Sequence, residues 1–167
     1  KSGNLSSAIS KFKNELSSEF SMFQGYSQND SKELFQIIVS KLADEKPNFD
    51  LFLITREKRF MCNGHDAGSP DESSSFLVVP TRKVRSIQSY IDELKKPERF
   101  EGANALYCDL CGCLRDMTIE TKTIKTSANL AFYLTPAPIT FTPESYIQIE
   151  SNDYELYGVI CHIGTSI

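Results

Sequence analysis

The segment ERFEGANALYCDLC, residues 98–111, contains the most informative local pattern of the sequence. It places Cys108 and Cys111 two residues apart, and two thiolates at this spacing can face one tetrahedral zinc ion. A second pair of ligands is then needed, and the upstream candidates are Cys62 and His65, which have the spacing C-x-x-H. The long interval between the two pairs suits ligands that lie at the ends of long strands. The pattern therefore favours strands held together by a structural zinc site.

The cysteine content leaves two interpretations of this segment open. The chain has five cysteines and no secretory signal, which favours metal binding or free thiols over a disulfide framework. Zinc binding is the first interpretation, with Cys113 as a further thiol that could replace one ligand. The second is a set of reduced thiols in a site that no longer binds metal. The expected location of the chain is intracellular, in the cytoplasm or the nucleus.

The composition excludes several classes of function. The 167 residues include 18 Lys and Arg and 22 Asp and Glu, so the formal net charge is −4. This balance argues against a general nucleic-acid-binding protein and against a polybasic membrane-surface protein. No apolar run approaches the roughly 18 residues of a membrane span. We therefore expect no nucleic acid and no membrane among the partners. The first residue is not Met, so the chain is expected to begin inside a longer protein or to result from processing.

The apolar periodicity predicts helices first and strands afterwards. Residues 5–23 have the spacing of an amphipathic helix, and a second helix is expected to begin near Asp30 and to end before Pro47. Strands are expected at 51–55, 58–62, 75–80, 130–134, 146–149 and 154–163, with a solvated strand pair at 117–125, a turn at 64–71 and a helix at 86–94. This order favours the α+β class over a doubly wound α/β sheet.

Two further residue pairs have a structural interpretation beside a functional one. Cys161 and His162 are adjacent, and neighbouring side chains on a strand point to opposite faces, so they cannot form a catalytic dyad with each other. Asp30 and Glu33 fit a capping box at the start of the second helix. The alternative is an acidic pair that faces a basic peptide. The residues alone favour the cap and assemble no catalytic set.

Five segments, taken in order, resemble the ubiquitin-specific protease family, the ubiquitin carboxyl-terminal hydrolases of peptidase family C19. Residues 25–35, GYSQNDSKELF, resemble the family's Q-Q-D-A-x-E-F-L box, and residues 60–65, FMCNGH, resemble its first zinc knuckle. Residues 90–111 resemble the stretch E-x-L-x-G-x-N-x-Y-x-C-x-x-C. Residues 130–134 resemble the strand that continues as L-K-R-F in the family, and residues 154–165 resemble Y-x-L-x-A-V-x-x-H-x-G.

The resemblance implies a papain-like cysteine peptidase fold with thumb, fingers and palm, truncated at both ends. Residues 1–50 would be the thumb helices, residues 51–128 the fingers with the zinc site, and residues 129–167 the palm strands. The implied zinc ligands are Cys62, His65, Cys108 and Cys111. The implied binding site for the C-terminal tail of ubiquitin consists of Gln28, Asp30 and Glu33.

The departures from the family's pattern concern catalysis. The family's nucleophile box, G-L-x-N-x-G-N-T-C-Y, would precede Gln28 and is absent from this sequence, and the family's catalytic G-H-Y motif would follow Ile167. His162 matches the non-catalytic histidine before that motif, and Leu134-Thr135-Pro136 replaces the L-K-R-F continuation. The family hydrolyses isopeptide bonds of ubiquitin, so ubiquitin or ubiquitinated proteins are the implied partners, but this chain alone is expected to be inactive.

Three functional hypotheses therefore stay open at the level of sequence. The chain is part of an active deubiquitinase domain, or it is a catalytically inactive ubiquitin-binding relative. The third hypothesis is a zinc-stapled scaffold module unrelated to ubiquitin.

Overall fold

The computed structural model describes residues 2–25, 29–46, 51–135 and 141–160. The chain divides into two compact units, Lys1–Lys41 and Leu42–Ile167. Three α-helices and eleven β-strands occur within the described ranges, and all of the strands belong to the second unit.

The first unit contains the two helices that the apolar periodicity predicts. Helix α1 spans Ser2–Glu19 and α2 spans Ser31–Glu45, the latter extending into the second unit. The α-helical turns of α1 end at Glu19 because the chain tightens into a 3-10 turn at Ser21–Phe23. Phe23 is buried there, and its ring meets the ring of Phe20 edge to face, with centroids 6.4 Å apart.

The second unit is built on a five-stranded antiparallel sheet with the order β2-β1-β8-β5, in which β3 also pairs with β1. The strands of this unit are β1 (Ile54–Cys62), β2 (His65–Asp66), β3 (Asp71–Ser74), β4 (Leu77–Val79), β5 (Glu98–Phe100), β6 (Leu106–Cys108), β7 (Cys113–Arg115), β8 (Met117–Thr126), β9 (Phe132–Leu134), β10 (Tyr146–Ile149) and β11 (Asn152–Glu155). Helix α3 spans Ile87–Leu94. Beside the sheet, β4 pairs with β9 in parallel, and β6–β7 and β10–β11 are hairpins.

Several strand boundaries differ from the sequence-based expectation. The two strands expected at 51–55 and 58–62 form the single strand β1, and 117–125 is one strand, β8, rather than a pair. The expected turn at 64–71 contains β2 and the first residue of β3. Strands β5, β6 and β7 were not predicted from the sequence. The last expected strand ends at Glu155 within the described residues, and 161–163 lie outside them.

The main apolar core of the second unit lies between the sheet, α3 and the β10–β11 hairpin. Its buried members are aliphatic side chains: Ile54, Leu77, Ile87, Ile91 and Ile149. Helix α3 was predicted at 86–94, and the structure confirms it with a reciprocal capping box between Ser86 and Ser89. This core contains one end of β1, at Ile54.

The opposite end of β1 enters a second, smaller core. Cys62, Cys108 and Met117 are buried there, and Phe60, Ala67 and Leu106 pack around them. Two of the three buried side chains are thiols, which is a composition that suits a metal site better than a conventional apolar core.

Candidate metal centre

A two-residue turn sets the relative position of Cys62 and His65. Asn63 and Gly64 occupy this turn with φ angles of 47° and 85°, the pair of positive values that a type I′ turn requires. The turn makes Cys62 and His65 directly opposed partners of the β1–β2 ladder, so both side chains lie on one face of the sheet. The Asn-Gly turn therefore directs the Cys62 and His65 side chains towards the same point.

A tight loop sets the positions of Cys108 and Cys111. Strands β6 and β7 pair Cys108 with Cys113, and the backbone N–H of Gly112 donates to the Cys108 carbonyl at 2.8 Å. Gly112 has a φ of 65°, which a glycine adopts without the penalty of a β-carbon. The loop turns Cys111 back towards the Cys108 side chain, and both face the pair from the β1–β2 turn.

The four predicted ligands meet at one point. The ligand atoms of Cys62, His65, Cys108 and Cys111 all lie within 4.8 Å of one another. Cys62 Sγ is 3.9 Å from Cys111 Sγ, and His65 Nε2 is 3.4 Å from Cys108 Sγ and 3.9 Å from Cys111 Sγ. Around a tetrahedral zinc ion, these edges would be about 3.8 Å between two sulfurs and about 3.6 Å between sulfur and nitrogen. These three separations are close to the edges of such a tetrahedron, and all of the ligand atoms lie within 4.8 Å of one another.

The electrostatics of this cluster favour a bound cation. Burial, followed by the neighbouring thiols of Cys108 and Cys111, raises the pKa of Cys62 to about 12. A hydrogen bond with His65 instead lowers the pKa of Cys108 to about 6. Crowded thiols do not ionise together without a compensating charge, whereas a divalent cation stabilises every thiolate in its coordination sphere. Three sulfurs and one imidazole nitrogen form a donor set that zinc favours.

Two residues beside the cluster have roles that the sequence analysis did not assign. The Cys113 thiol, considered there as a substitute ligand, donates to the Cys111 carbonyl at 3.4 Å and does not belong to the group of four. Arg115 was not considered. Cys113, together with a hydrogen bond to the Cys111 side chain, raises the pKa of the Arg115 guanidinium. The signal is the spacing of Cys113 and Arg115, because these alternate residues of β7 share a face.

The acidic pair at the start of α2 separates into two different environments. Asp30 acts as a cap: its Oδ1 accepts from the Lys32 backbone N–H at 2.8 Å, and its carbonyl accepts from Leu34 N–H. Glu33 is exposed and forms no side-chain contact within the part of the chain that the structure describes, so the reciprocal half of the expected capping box is not formed. Gln28 lies outside the described residues.

Comparison with known families agrees with this picture. The family model for ubiquitin carboxyl-terminal hydrolase matches residues 4–167. The chain belongs to this family. No curated protein sequence matches it.

Solved structures show the same fold as this member of the ubiquitin carboxyl-terminal hydrolase family. A chain of the SAGA Ubp8/Sgf11/Sus1/Sgf73 DUB module bound to ubiquitin aldehyde matches with a TM-score of 0.60 and 15% identity, over 79% of this chain and 34% of that one. A chain of the same module with a cysteine-to-alanine substitution in Ubp8, bound to monoubiquitin, matches with a TM-score of 0.61 and 15% identity, over 79% and 35%. The present chain thus spans about a third of the length of these solved chains.

These findings confirm the α+β class and the papain-like fold of the ubiquitin-specific proteases. They agree with the family resemblance of the sequence segments. Among the described helices, none combines the length and the apolar character that crossing a bilayer would require.

Proposed function

We propose that this chain is part of a deubiquitinase domain and that its metal-stapled strands help to hold ubiquitin. The observation that carries the proposal is the tetrahedral group of three thiols and one imidazole in a chain whose residues 4–167 match the family. In this assignment, residues 1–50 are thumb, residues 51–128 are fingers with the metal centre, and residues 129–167 are palm. The metal fixes the two turns at the tip of the fingers, because its four ligands come from both.

Zinc is the proposed metal, as a structural cofactor. Protein purified without chelator is expected to contain one zinc ion per chain by elemental analysis. Cys108→Ser should abolish stoichiometric zinc, because it removes one of the buried ligands. Cys113→Ser is the matched control, since Cys113 is a nearby thiol outside the group of four, and it should retain the metal.

Either of two results would contradict this metal assignment. One is an absence of zinc from the unmodified protein. The other is equal zinc loss in the Cys108 and Cys113 variants, which would show that the group of four is not the ligand set.

Ubiquitin is the proposed partner, with Gln28, Asp30 and Glu33 along the path of its basic C-terminal tail. A carboxylate that pairs with an arginine forms a charge-assisted and often bidentate hydrogen bond. The Glu33 carboxylate is exposed and without a side-chain contact in the described ranges, so it is available for such a pair, whereas the Asp30 carboxylate also caps α2. Both carboxylates lie at the N-terminus of α2 and can bind the basic tail together.

The test uses Asp30→Asn and Glu33→Gln in a ubiquitin-binding titration. Asn still caps a helix but cannot form the ion pair, so Asp30→Asn should leave the melting temperature nearly unchanged and should weaken ubiquitin binding. Glu33→Gln should weaken binding without any effect on the cap. Both losses should shrink at high salt, which screens exposed charges. Unchanged affinity in both variants would remove the acidic pair from the binding site.

We expect the chain alone to bind ubiquitin without hydrolysing it. Within residues 2–25, 29–46, 51–135 and 141–160, every cysteine and the one histidine lie at or beside the metal cluster, which leaves no separate thiol and imidazole to form a nucleophile and base. A ubiquitin C-terminal fluorogenic substrate should therefore stay intact. Turnover that disappears in Cys161→Ala would show that the chain contains its own nucleophile. Stoichiometric zinc without ubiquitin binding would favour the scaffold function instead.

A further inference from the structure

A short basic loop follows β4 and precedes α3. Residues 82–85 include Arg82, Lys83 and Arg85, and all three side chains are exposed. None of them forms an ion pair or a side-chain hydrogen bond within the part of the chain that the structure describes. A chain with a net charge of −4 thus presents three cations within four residues, and none of them has a partner among the described residues.

The backbone on both sides of these cations is firmly held. Thr81 is buried, its Oγ1 donates to the Thr135 carbonyl at 3.0 Å, and its N–H lies 3.2 Å from Thr135 Oγ1. Lys83 N–H closes a turn onto the Pro80 carbonyl at 2.7 Å. On the far side, Ser86 caps α3. Ordered backbone lowers the entropic cost of presenting the charges to a partner.

The position of the loop is unfavourable for the fold itself. Arg85 directly precedes the N-cap of α3, and the N-terminus of a helix has a partial positive charge that disfavours nearby cations. The carboxylate of Glu144 contacts this terminus, and it accepts from the backbone N–H groups of Ile87 and Gln88 rather than from the loop cations. Residues whose local effect on stability is unfavourable are typical of functional positions.

The cations near the other end of α3 behave differently. Lys95, Lys96 and Arg99 pair with Glu150, Glu93 and Glu101, at 3.7, 2.6 and 3.9 Å. A group of the same size and charge, a few residues away, is thus satisfied within the molecule. The contrast indicates that the loop cations have a partner outside it.

We propose that Arg82, Lys83 and Arg85 form a docking site for an acidic segment of a partner protein. Guanidinium groups bind carboxylates in a bidentate manner, and three cations within four residues match two or three neighbouring acidic side chains. Nucleic acid is the less suitable ligand, because residues 80–86 include no aromatic side chain on which a base could stack. The site shares no residue with the metal centre or with the acidic pair at the start of α2.

Fluorescence anisotropy with a labelled hexaglutamate peptide tests the proposal. The variant Arg82→Gln/Lys83→Gln/Arg85→Gln removes the loop cations. The control Lys95→Gln/Lys96→Gln/Arg99→Gln removes three paired cations and changes the net charge equally. The loop variant should bind about tenfold more weakly than the parent, because one exposed ion pair changes affinity about two- to threefold and three act together. The control should differ from the parent by less than about twofold, and binding by the parent should weaken with added salt.

The melting temperature separates lost binding from lost folding. Removal of cations from the positive end of α3 should leave the loop variant at least as stable as the parent. Three outcomes would overturn the proposal: no binding of hexaglutamate by the parent, an equal loss in the control variant, or tighter binding of a single-stranded DNA 12-mer than of the peptide.

Discussion

Glu144 connects the loop before β10 to the start of α3, and its replacement tests how the main core is held. Its two carboxylate oxygens accept from the backbone N–H groups of Ile87 and Gln88 at 2.9 and 3.0 Å. Gln88 adds a second link, since its side-chain amide exchanges two hydrogen bonds with the backbone of Gln148 in β10. We predict that Glu144→Gln destabilises the protein while its fold persists.

The magnitude follows from what Gln retains. One amide oxygen can still accept a single neutral hydrogen bond, but the second backbone N–H then faces an NH₂ group, and the negative charge at the helix N-terminus is lost. Hydrogen bonds to charged groups contribute about 1.5–3 kcal/mol, and a charge at a helix end about 0.3–1 kcal/mol. The Glu144 carboxylate is only half-buried and is therefore partly screened by water, so we expect a loss of about 1 kcal/mol. That loss corresponds to a decrease of about 2–4 °C in melting temperature for a chain of this size.

The pH dependence gives the prediction a second, independent signature. Burial on its own raises the pKa of Glu144, but the hydrogen bonds from Gln88 and Ile87 outweigh it, and the net pKa lies below its usual value. A group with a lowered pKa in the folded state stabilises above the unfolded pKa, about 4.3, and this contribution disappears as the pH falls through the folded value. The difference between parent and variant should thus be complete at about pH 7, begin to shrink as the pH falls below about 4.3, and vanish only below the lowered pKa of Glu144 in the folded state.

Urea unfolding at several pH values measures this difference. Glu98→Gln is the control, because Glu98 is exposed on β5 and its side chain has no contact within the described residues. A Glu144 variant as stable as the Glu98 variant at neutral pH would refute the reasoning. So would a difference that does not change with pH, since only a titrating carboxylate accounts for the expected trend.

Two further predictions concern charges on the sheet and beside the metal centre. Arg115→Gln should speed zinc transfer to a chelator by about tenfold, because the guanidinium offsets the thiolate charge of Cys111. Arg115→Lys keeps the positive charge and should bring the transfer rate part of the way back to that of the parent. Equal transfer rates in all three forms would exclude this role. Glu72→Gln should cost about 1 kcal/mol in urea unfolding, because Glu72 neutralises Lys58 at 2.7 Å and the largely buried Arg56 at 3.2 Å. The hydrogen bond from Lys58 lowers the pKa of Glu72, so this cost should decline as the pH falls below about 4. A Glu72→Gln variant as stable as the parent at neutral pH would show that the two ion pairs of Glu72 contribute nothing to stability.

The candidate ligands could be predicted because each pair is local in sequence. Cys108 and Cys111 share one tight loop, and Cys62 and His65 flank one Asn-Gly turn, so the spacing alone indicates which side chains face together. Only the meeting of the two pairs depends on distant parts of the chain. The need for a second pair of ligands suggested that step, the family resemblance supported it, and the geometry of the four side chains agrees with it.

The central strand could not be predicted because its stabilising partners are remote. The charged run at residues 56–59, in the middle of β1, has no alternation of apolar and polar residues. The sequence therefore predicts a break between two short strands at this point. In the fold, Glu57 lies opposite Lys122 and Arg59 lies opposite Glu120, about sixty residues along the chain, so opposite charges support the ladder. The position of Arg115 beside the thiols was difficult to predict for a similar reason. It depends on which face of the three-residue strand β7 lies against the thiols.

The charged middle of β1 also affects how this protein can change during evolution. Ile54 belongs to one core and Cys62 to the other, and eight residue steps along a strand separate them by about 26 Å. Substitutions that far apart, with no shared neighbours, have additive effects on stability. Substitutions within the Cys/His group at the Cys62 end of β1 are therefore expected to leave the stability of the aliphatic core unchanged. The two ends of β1 therefore tolerate substitutions independently of each other, although they belong to one continuous sheet.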